Sequence, residues 1–319
     1  AWLSSPEYFP LQTSLDGPGE FYPEKGQGMF GCFGDSAPDR WGRTLIRLAA
    51  KKGAAAPAPR LNESDFLLAV GDFLRQGALR FRDPESDAYL APADEGVPKL
   101  VHLGGLFESV RRIADGGDLE EDIRRLLVPG SSLGGARPKS CVVDGKGDLF
   151  IAKFPKPDDE WSVTAWEYIN LKLAEDAGLN VPECSLHPVA TGSRNDRVLV
   201  VRRFDRWKGQ RIPFVSAMSM LNVQERERRS YVDIAEIPVE SGERTKTDLQ
   251  ELWQRMVFNI LVSNVDDHLR NHGFLRGTRG WSLSPLYDVE STPTERHAGM
   301  WCTSVGDEDY HSTIEKAVD

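Results

Sequence analysis

The sequence predicts an α+β protein whose parts differ in character, and three observations lead there. The chain has 319 residues, which at ~100–200 residues per domain gives two domains or one large one. Short apolar runs with turn residues between them fill the middle of the chain, the pattern of strands. The strongest helical periodicity comes only after residue 245 and opens onto a polar loop, so a strand-rich part precedes a helix-led one.

Composition narrows the function classes. Hydrophobic residues at 40% and charged residues at 28% are ordinary for a globular chain, which argues against wholesale disorder. The net charge of −10 argues against coating nucleic acid or an anionic membrane by bulk charge. The longest apolar run falls far short of the ~18–20 residues that a membrane span needs. The opening AWLSSPEYFP has no basic segment followed by an apolar core, so no signal peptide is read there. Cys32, Cys141, Cys184 and Cys302 lie far apart without a CxxC pair, which reads as four reduced thiols of a cytosolic protein.

Taken in order, Phe9-Pro10-Leu11 and Met29-Phe30-Gly31 sit among turn residues, which fits small strands and loops. Trp41–Leu48 reads as a short helix, and Gly53–Pro59 as a surface linker without large apolar residues. Ser64 to Leu74 predicts a helix with Ser64 as cap and Phe66, Leu67, Val70 and Leu74 at helical spacing. A further helix is predicted across Leu106 to Leu127. From Gly130 the chain turns glycine-rich, through Gly130-Ser131-Ser132-Leu133-Gly134-Gly135-Ala136. Cys141–Val143 and Leu149–Phe154 then predict a β-hairpin around Asp144-Gly145-Lys146-Gly147. Ser162 to Ala177 predicts a helix with Val163, Trp166, Ile169, Leu173 and Ala177 on one side, closed by Gly178 as a left-handed cap. Val198–Val201 is apolar throughout, as a central strand is. Thr247 to Ser263 predicts the strongest helix, with a capping box of Thr247 and Gln250 and an apolar series Leu249, Leu252, Trp253, Met256, Val257, Ile260 and Leu261.

The chemistry concentrates behind that helix. Residues 264–272 hold two carboxylates, two imidazoles and two carboxamides, on a loop that a strongly apolar helix can hold still. Asp266 and Asn271 have the Asp-x4-Asn spacing of a phosphotransferase base and Mg²⁺ ligand, and Asp288 is the later acid. Alternatively, Asp267, His268 and His272 bind a transition metal for hydrolysis. A third reading makes the segment a hydrogen-bonded cap of the preceding helix. Upstream, the glycine-rich loop offers backbone that can approach an anion closely, although it is neither a Walker A nor a Gly-x-Gly-x-x-Gly loop. Lys153 sits in an otherwise apolar strand, on the face of Leu149 and Ile151. A buried lysine needs an acidic or phosphate partner, and Glu167 on the next helix can pair with it. A snorkelling lysine on an edge strand is the alternative.

These pieces stand in the order glycine-rich loop, strand lysine, helix glutamate, strand, Asp and Asn, later Asp. At this point the sequence resembles the HipA family of bacterial serine/threonine kinase toxins. The resemblance rests on Ser132–Lys139, Phe150–Pro155, Val201–Arg206, Asn264–Asn271 and Leu283–Asp288. It extends to Phe33–Arg43 and Gly77–Phe81. It implies a two-lobed protein-kinase-like fold with an additional N-terminal subdomain, divided as 1–125, 126–205 (with the glycine-rich loop) and 206–319. It implies ATP and Mg²⁺ as cofactors, Asp266 as catalytic base, and Asn271 and Asp288 as Mg²⁺ ligands. Lys153, paired with Glu167, would hold the ATP phosphates under Ser132, Gly134, Gly135 and Ala136, and Phe204 would border the adenine. Ser132, or its neighbour Ser131, matches an autophosphorylated serine whose phosphate adds nearly two charges to the loop. Implied partners are a protein substrate, such as an aminoacyl-tRNA synthetase, and a HipB-like DNA-binding antitoxin through which operator DNA is mainly contacted. The implied setting is the bacterial cytoplasm, without a membrane. A small-molecule kinase of the same fold and a pseudokinase binding module are the alternatives. Arg137 stands where relatives often have Gln, and Arg202 where some have an acid. Only about thirty residues follow Asp288 and no Met begins the chain, so trimmed ends are expected.

Overall fold

The computed structural model describes residues 21–23, 26–53, 60–86, 88–91, 96–117, 119–131, 135–189, 196–224, 227–296, 300–306, 311 and 313–318. In order, the elements are α1 (Gly31–Ser36), α2 (Arg40–Gly53), α3 (Glu63–Leu68), α4 (Leu103–Ala114), α5 (Glu120–Ser131), β1 (Lys139–Val143) and β2 (Leu149–Lys153). They continue with α6 (Val163–Asp176), β3 (Cys184–Pro188), β4 (Arg197–Arg202), β5 (Arg206–Trp207), β6 (Gln210–Arg211), β7 (Phe214–Ser216) and α7 (Ala217–Met220). The last are α8 (Tyr231–Ser241), α9 (Thr245–Leu261), β8 (Gly273–Arg276), β9 (Trp281–Leu283) and α10 (Ile314–Val318). Two compact units form. A sheet unit comprises Ser36–Tyr168 and Glu183–Arg211, and a helical unit comprises Ala1–Asp35, Ile169–Pro182 and Ile212–Asp319.

The sheet unit is built on four antiparallel strands in the order β1-β2-β4-β3. The predicted hairpin is β1–β2, with Lys139 opposite Lys153 and Val143 opposite Leu149. Asp144 Oδ1 accepts the Lys146 and Asp148 amides in its turn. Gly147 there has φ +89°, which favours glycine. β4 is central, as its uninterrupted apolar run predicts, and Val198–Val201 are all buried. One face of the sheet, with Val142, Phe150, Ala152 and Val200, packs on Trp41 and Leu45 of α2, Phe107 and Val110 of α4, and Leu126 of α5. The other face carries Cys141, Leu149 and Ile151 beside Leu74. Both faces being covered, Lys153 is buried rather than on an edge.

The helical unit combines α8 and α9 with the antiparallel sheet β7-β8-β9. Its core includes Val215, Ile234, Phe274, Trp281, Leu286 and Val289. Among the described residues no helix is long and apolar enough to cross a membrane, and all four cysteines are free thiols.

Several local expectations change. Among the described residues Met29–Gly31 forms no strand, and Gly31 instead opens α1; Phe9–Leu11 and residues 54–59 of the expected linker lie outside the described residues. The cap of α3 is Asn62, not Ser64, in a reciprocal box with Asp65, and the helix stops at Leu68 although Val70 and Leu74 remain buried. The single helix expected over Leu106–Leu127 is two. Gly116 at φ +85° and a Gly117 amide folded back on the Arg112 carbonyl (2.7 Å) break it, and an Arg112–Asp122 ion pair (2.6 Å) ties the two helices together. Gly130 and Ser131 belong to the last turn of α5 rather than to a loop.

The two chemistry-bearing helices turn other sides inward than their apolar series suggest. In α6, Trp166, Ile169 and Leu173 are 40–49% exposed, while Glu167, Asn170, Leu171 and Ala174 are buried. Gly178 does take the left-handed cap (φ +84°). In α9, Trp253 and Leu261 are exposed, while Asp248, Arg255 and Asn259 are buried with Leu252 and Met256. The helix starts at Thr245 after Arg244, without a side-chain cap, so Thr247 and Gln250 form no capping box. In both helices buried polar residues find specific partners, and those partnerships decide the inward side.

Candidate functional site

The sheet unit holds the first group. Lys153 at the end of β2 and Glu167 on α6 form an ion pair of 2.5 Å, with the residues 8% and 2% exposed. Opposite Lys153 in the register stands Lys139, also buried, on the same face of the hairpin. Like charges directly opposite repel, so two buried lysines on one face call for negative charge, which Glu167 supplies to Lys153. A Cβ on Gly135 would come within 2.5 Å of Lys139 Nζ, which places that ammonium against the glycine-rich segment. Lys139 was not singled out from the sequence, although its alternation with Cys141 and Val143 mirrors that of Lys153 with Ile151 and Leu149.

Of the loop itself, Ser132 and Gly134 lie outside the described residues. Gly135 has φ +92° and donates its amide to Asp39 Oδ2 (2.7 Å). Ala136 is exposed. Arg137 is engaged by Asp159 through two hydrogen bonds of 2.8 and 3.0 Å, and Arg202 pairs with Asp148 (2.6 Å). Phe204, half-buried after β4, sits between two buried partners, Arg203 and Asp205, paired at 2.7 Å. Asp205 also takes the Gly77 amide (2.8 Å) and Arg206 (2.7 Å), and Arg203 donates to the Leu74 carbonyl (2.7 Å). Burial alone raises the Asp205 carboxyl, but Arg203 and Arg206 outweigh it and hold it at about 2. The backbone on both sides of Phe204 is thereby fixed.

The helical unit holds the second group. After α9, Ser263 turns the chain at φ +55°, and a single 3₁₀ turn covers Leu269–Asn271. Within the loop, neighbours part ways: Asp266 and His268 are exposed, whereas Asp267, Asn271 and His272 are buried. Asp267 accepts the Tyr231 hydroxyl and faces His272 Nε2 at 3.2 Å. Tyr231 also accepts from Asn259 (3.0 Å), which accepts from Asn264 (3.1 Å). Burial pushes Asp267 up, yet His272 and Tyr231 hold its carboxyl below the usual range. These groups tie the loop to α8 and α9, as the capping reading expected. They do not form the Asp267, His268 and His272 metal triad, because His268 is exposed while the other two are buried against each other.

Asp266 is left facing outward. Its carbonyl accepts the Asn271 carboxamide nitrogen (3.1 Å) and the His268 amide (2.9 Å), which leaves the Asn271 oxygen as the arm free of that bond. The Cys302 thiol points at Asp266 Oδ1 (3.6 Å); burial and that carboxylate push the thiol up to about 11. The Cys302 amide and the Thr303 hydroxyl fasten the loop through the Val265 and Asp267 carbonyls (3.0 and 2.5 Å). Asp288 follows β9 in irregular chain with φ +60°, uncommon for a residue with a side chain. It is held from both sides: Tyr287 donates to the Arg270 carbonyl (2.6 Å), and the Val289 carbonyl accepts from Asn170 (2.9 Å). Arg255, fully buried, donates to the Ser284 carbonyl upstream (2.6 Å). The carboxamide oxygen and the Asp288 carboxylate are hard donors that suit Mg²⁺, and the exposed Asp266 carboxylate can accept a proton.

Residues 131–318 match the family model of the HipA-like C-terminal domain. A candidate kinase of Haemophilus influenzae is 26% identical over 184 residues, 51% of this chain and 53% of that protein. A candidate kinase of Sinorhizobium fredii is 30% identical over 154 residues, 44% of this chain and 34% of that protein. The chain thus spans about half the length of these curated relatives or less. A solved Shewanella oneidensis complex of HipA, HipB and operator DNA is similar in fold, with a TM-score of 0.63 at 21% identity over 95% of this chain and 72% of that chain.

Proposed function

The chain belongs to the HipA-like family, and we propose that it is an ATP- and Mg²⁺-dependent serine/threonine protein kinase. The observation that carries this is the buried Lys153–Glu167 pair, a strand lysine held by a helix glutamate as in protein kinases. In this reading Lys153 holds the ATP phosphates, with Lys139 as a second cation opposite it. The main chain of Gly134, Gly135 and Ala136 covers the phosphates, and Phe204 borders the adenine. Asp266 orients the attacking hydroxyl and takes its proton, for which its exposure and its fixed backbone suit it. Asn271 and Asp288 hold Mg²⁺, which supplies neutralisation of phosphate charge when bound. The parts 1–125, 126–205 and 206–319 then serve as N-terminal subdomain, N-lobe and C-lobe.

Ser132, with Ser131 as the neighbouring alternative, is the residue that accepts phosphate from the same chain. The protein acts as the toxin of a toxin–antitoxin pair in the bacterial cytoplasm. A HipB-like antitoxin carries it to operator DNA, and a component of translation such as an aminoacyl-tRNA synthetase is its substrate. The support for this assembly is family membership and the fold shared with the HipA of the Shewanella complex. Labelled ATP added with a lysate of the host tests the reading. Label in one protein band, together with phosphate on Ser132 or Ser131 by mass spectrometry, is expected. Label only in small molecules overturns the protein-kinase assignment.

A further inference from the structure

We infer that α2 is the clamp of the nucleotide loop and that Asp39 is its positioning residue, an inference that rests on the phosphotransfer reading above. Three separate places on the loop and its flanks meet this one helix end. Before the loop, Gly130 lies so close to α2 that a Cβ there would come 2.8 Å from Leu45 Cδ1 and 3.2 Å from the Trp41 indole nitrogen. After the loop, the same indole nitrogen donates to the Lys139 carbonyl (2.9 Å). Between them, the Asp39 carboxylate bridges two amides: Oδ1 accepts that of Arg40 at the start of α2, and Oδ2 accepts that of Gly135, both at 2.7 Å.

The Asp39 bond has a chemical consequence. Backbone amides are what a glycine-rich loop offers to phosphate, and here the Gly135 amide is already taken by a carboxylate. The bond therefore orients the loop rather than binding nucleotide through that amide. It also fixes a left-handed glycine (φ +92°) directly over Lys139 Nζ, so the loop and the second buried ammonium are held together. A charge-assisted bond to a main-chain amide is among the stronger ones available for such a task.

The test uses the whole chain and two variants. Asp39→Ser keeps a good helix cap but is too short to reach Gly135, and Asp39→Asn keeps one acceptor oxygen. Without nucleotide, hydrogen exchange of the peptide containing Gly135 should be about tenfold faster in Asp39→Ser, with β2 unchanged and Asp39→Asn close to the parent. The KM for ATP should rise about five- to tenfold in Asp39→Ser while kcat changes less than about twofold. Unchanged exchange at the loop, or faster exchange with an unmoved KM, overturns the inference. Absence of phosphoryl transfer by the parent overturns the kinase reading instead, and the exchange result still decides whether Asp39 holds the loop.

Discussion

Replacing Glu167 by Gln removes one charge from a buried pair and almost nothing else. The side chain keeps its size and one acceptor oxygen, but Lys153 loses a carboxylate 2.5 Å away while remaining opposite the equally buried Lys139. Removing one partner of such a pair costs about 3–5 kcal/mol, because a buried charge is left uncompensated. With about 2–4 °C of melting temperature per kcal/mol for domains of 150–250 residues, the midpoint should fall by roughly 6–20 °C. Thermal unfolding, with denaturant unfolding for the free energy, measures both in the parent, Glu167→Gln, Lys153→Met and the double variant Lys153→Met with Glu167→Leu. The double variant should regain most of the loss, since an apolar pair of similar volume avoids the desolvation of both ions. A cost below about 1 kcal/mol for Glu167→Gln, or a double variant as unstable as the sum of the single ones, refutes the reasoning.

Two more substitutions probe the anchors of the site. Asp205 is held at about 2 in the fold against an ordinary 3.8, so its contribution is complete above about pH 4 and is lost as pH falls toward 2. The stability gap between the parent and Asp205→Asn should be largest near neutral pH and close over that interval, and a gap constant with pH contradicts the assignment. Tyr231→Phe strips a donor from buried Asp267 and an acceptor from Asn259, which should cost about 1–3 kcal/mol in denaturant unfolding. A cost near zero would mean that the Asp267 network does not hold the loop.

What could be read from the sequence, and what could not, follows one rule. Features that local chemistry dictates on its own were legible: the β1–β2 hairpin, the left-handed Gly178, central β4, and the pairing of Lys153 with Glu167. An isolated lysine in an apolar strand announces its need for an anion, whatever surrounds it. The inward sides of α6 and α9 were hidden because apolar spacing was the guide. Buried Glu167 and Asn170, and buried Asp248, Arg255 and Asn259, look like solvent-facing residues until their partners are known. Those partners, such as the Ser284 carbonyl for Arg255 and the Val289 carbonyl for Asn170, lie 29 and 119 residues away. Within the loop, spacing marked Asp266, Asp267, His268, Asn271 and His272 alike. Only tertiary contacts sorted them, turning Asp267 and His272 inward to Tyr231 and leaving Asp266 outside. Lys139 escaped notice because its importance comes from standing across from Lys153, a matter of register rather than of its own neighbours.

The outward placement of Asp266 gives the most direct test of the proposed chemistry. Transfer of labelled γ-phosphate from Mg-ATP is measured for the parent and for Asp266→Asn, beside the unfolding midpoint of each. Because Asp266 is exposed, folding stability should change by no more than about 0.5 kcal/mol. Because positioning and proton acceptance carry this kind of transfer, the rate should fall by orders of magnitude. Transfer at the parental rate by a folded Asp266→Asn protein would contradict the account.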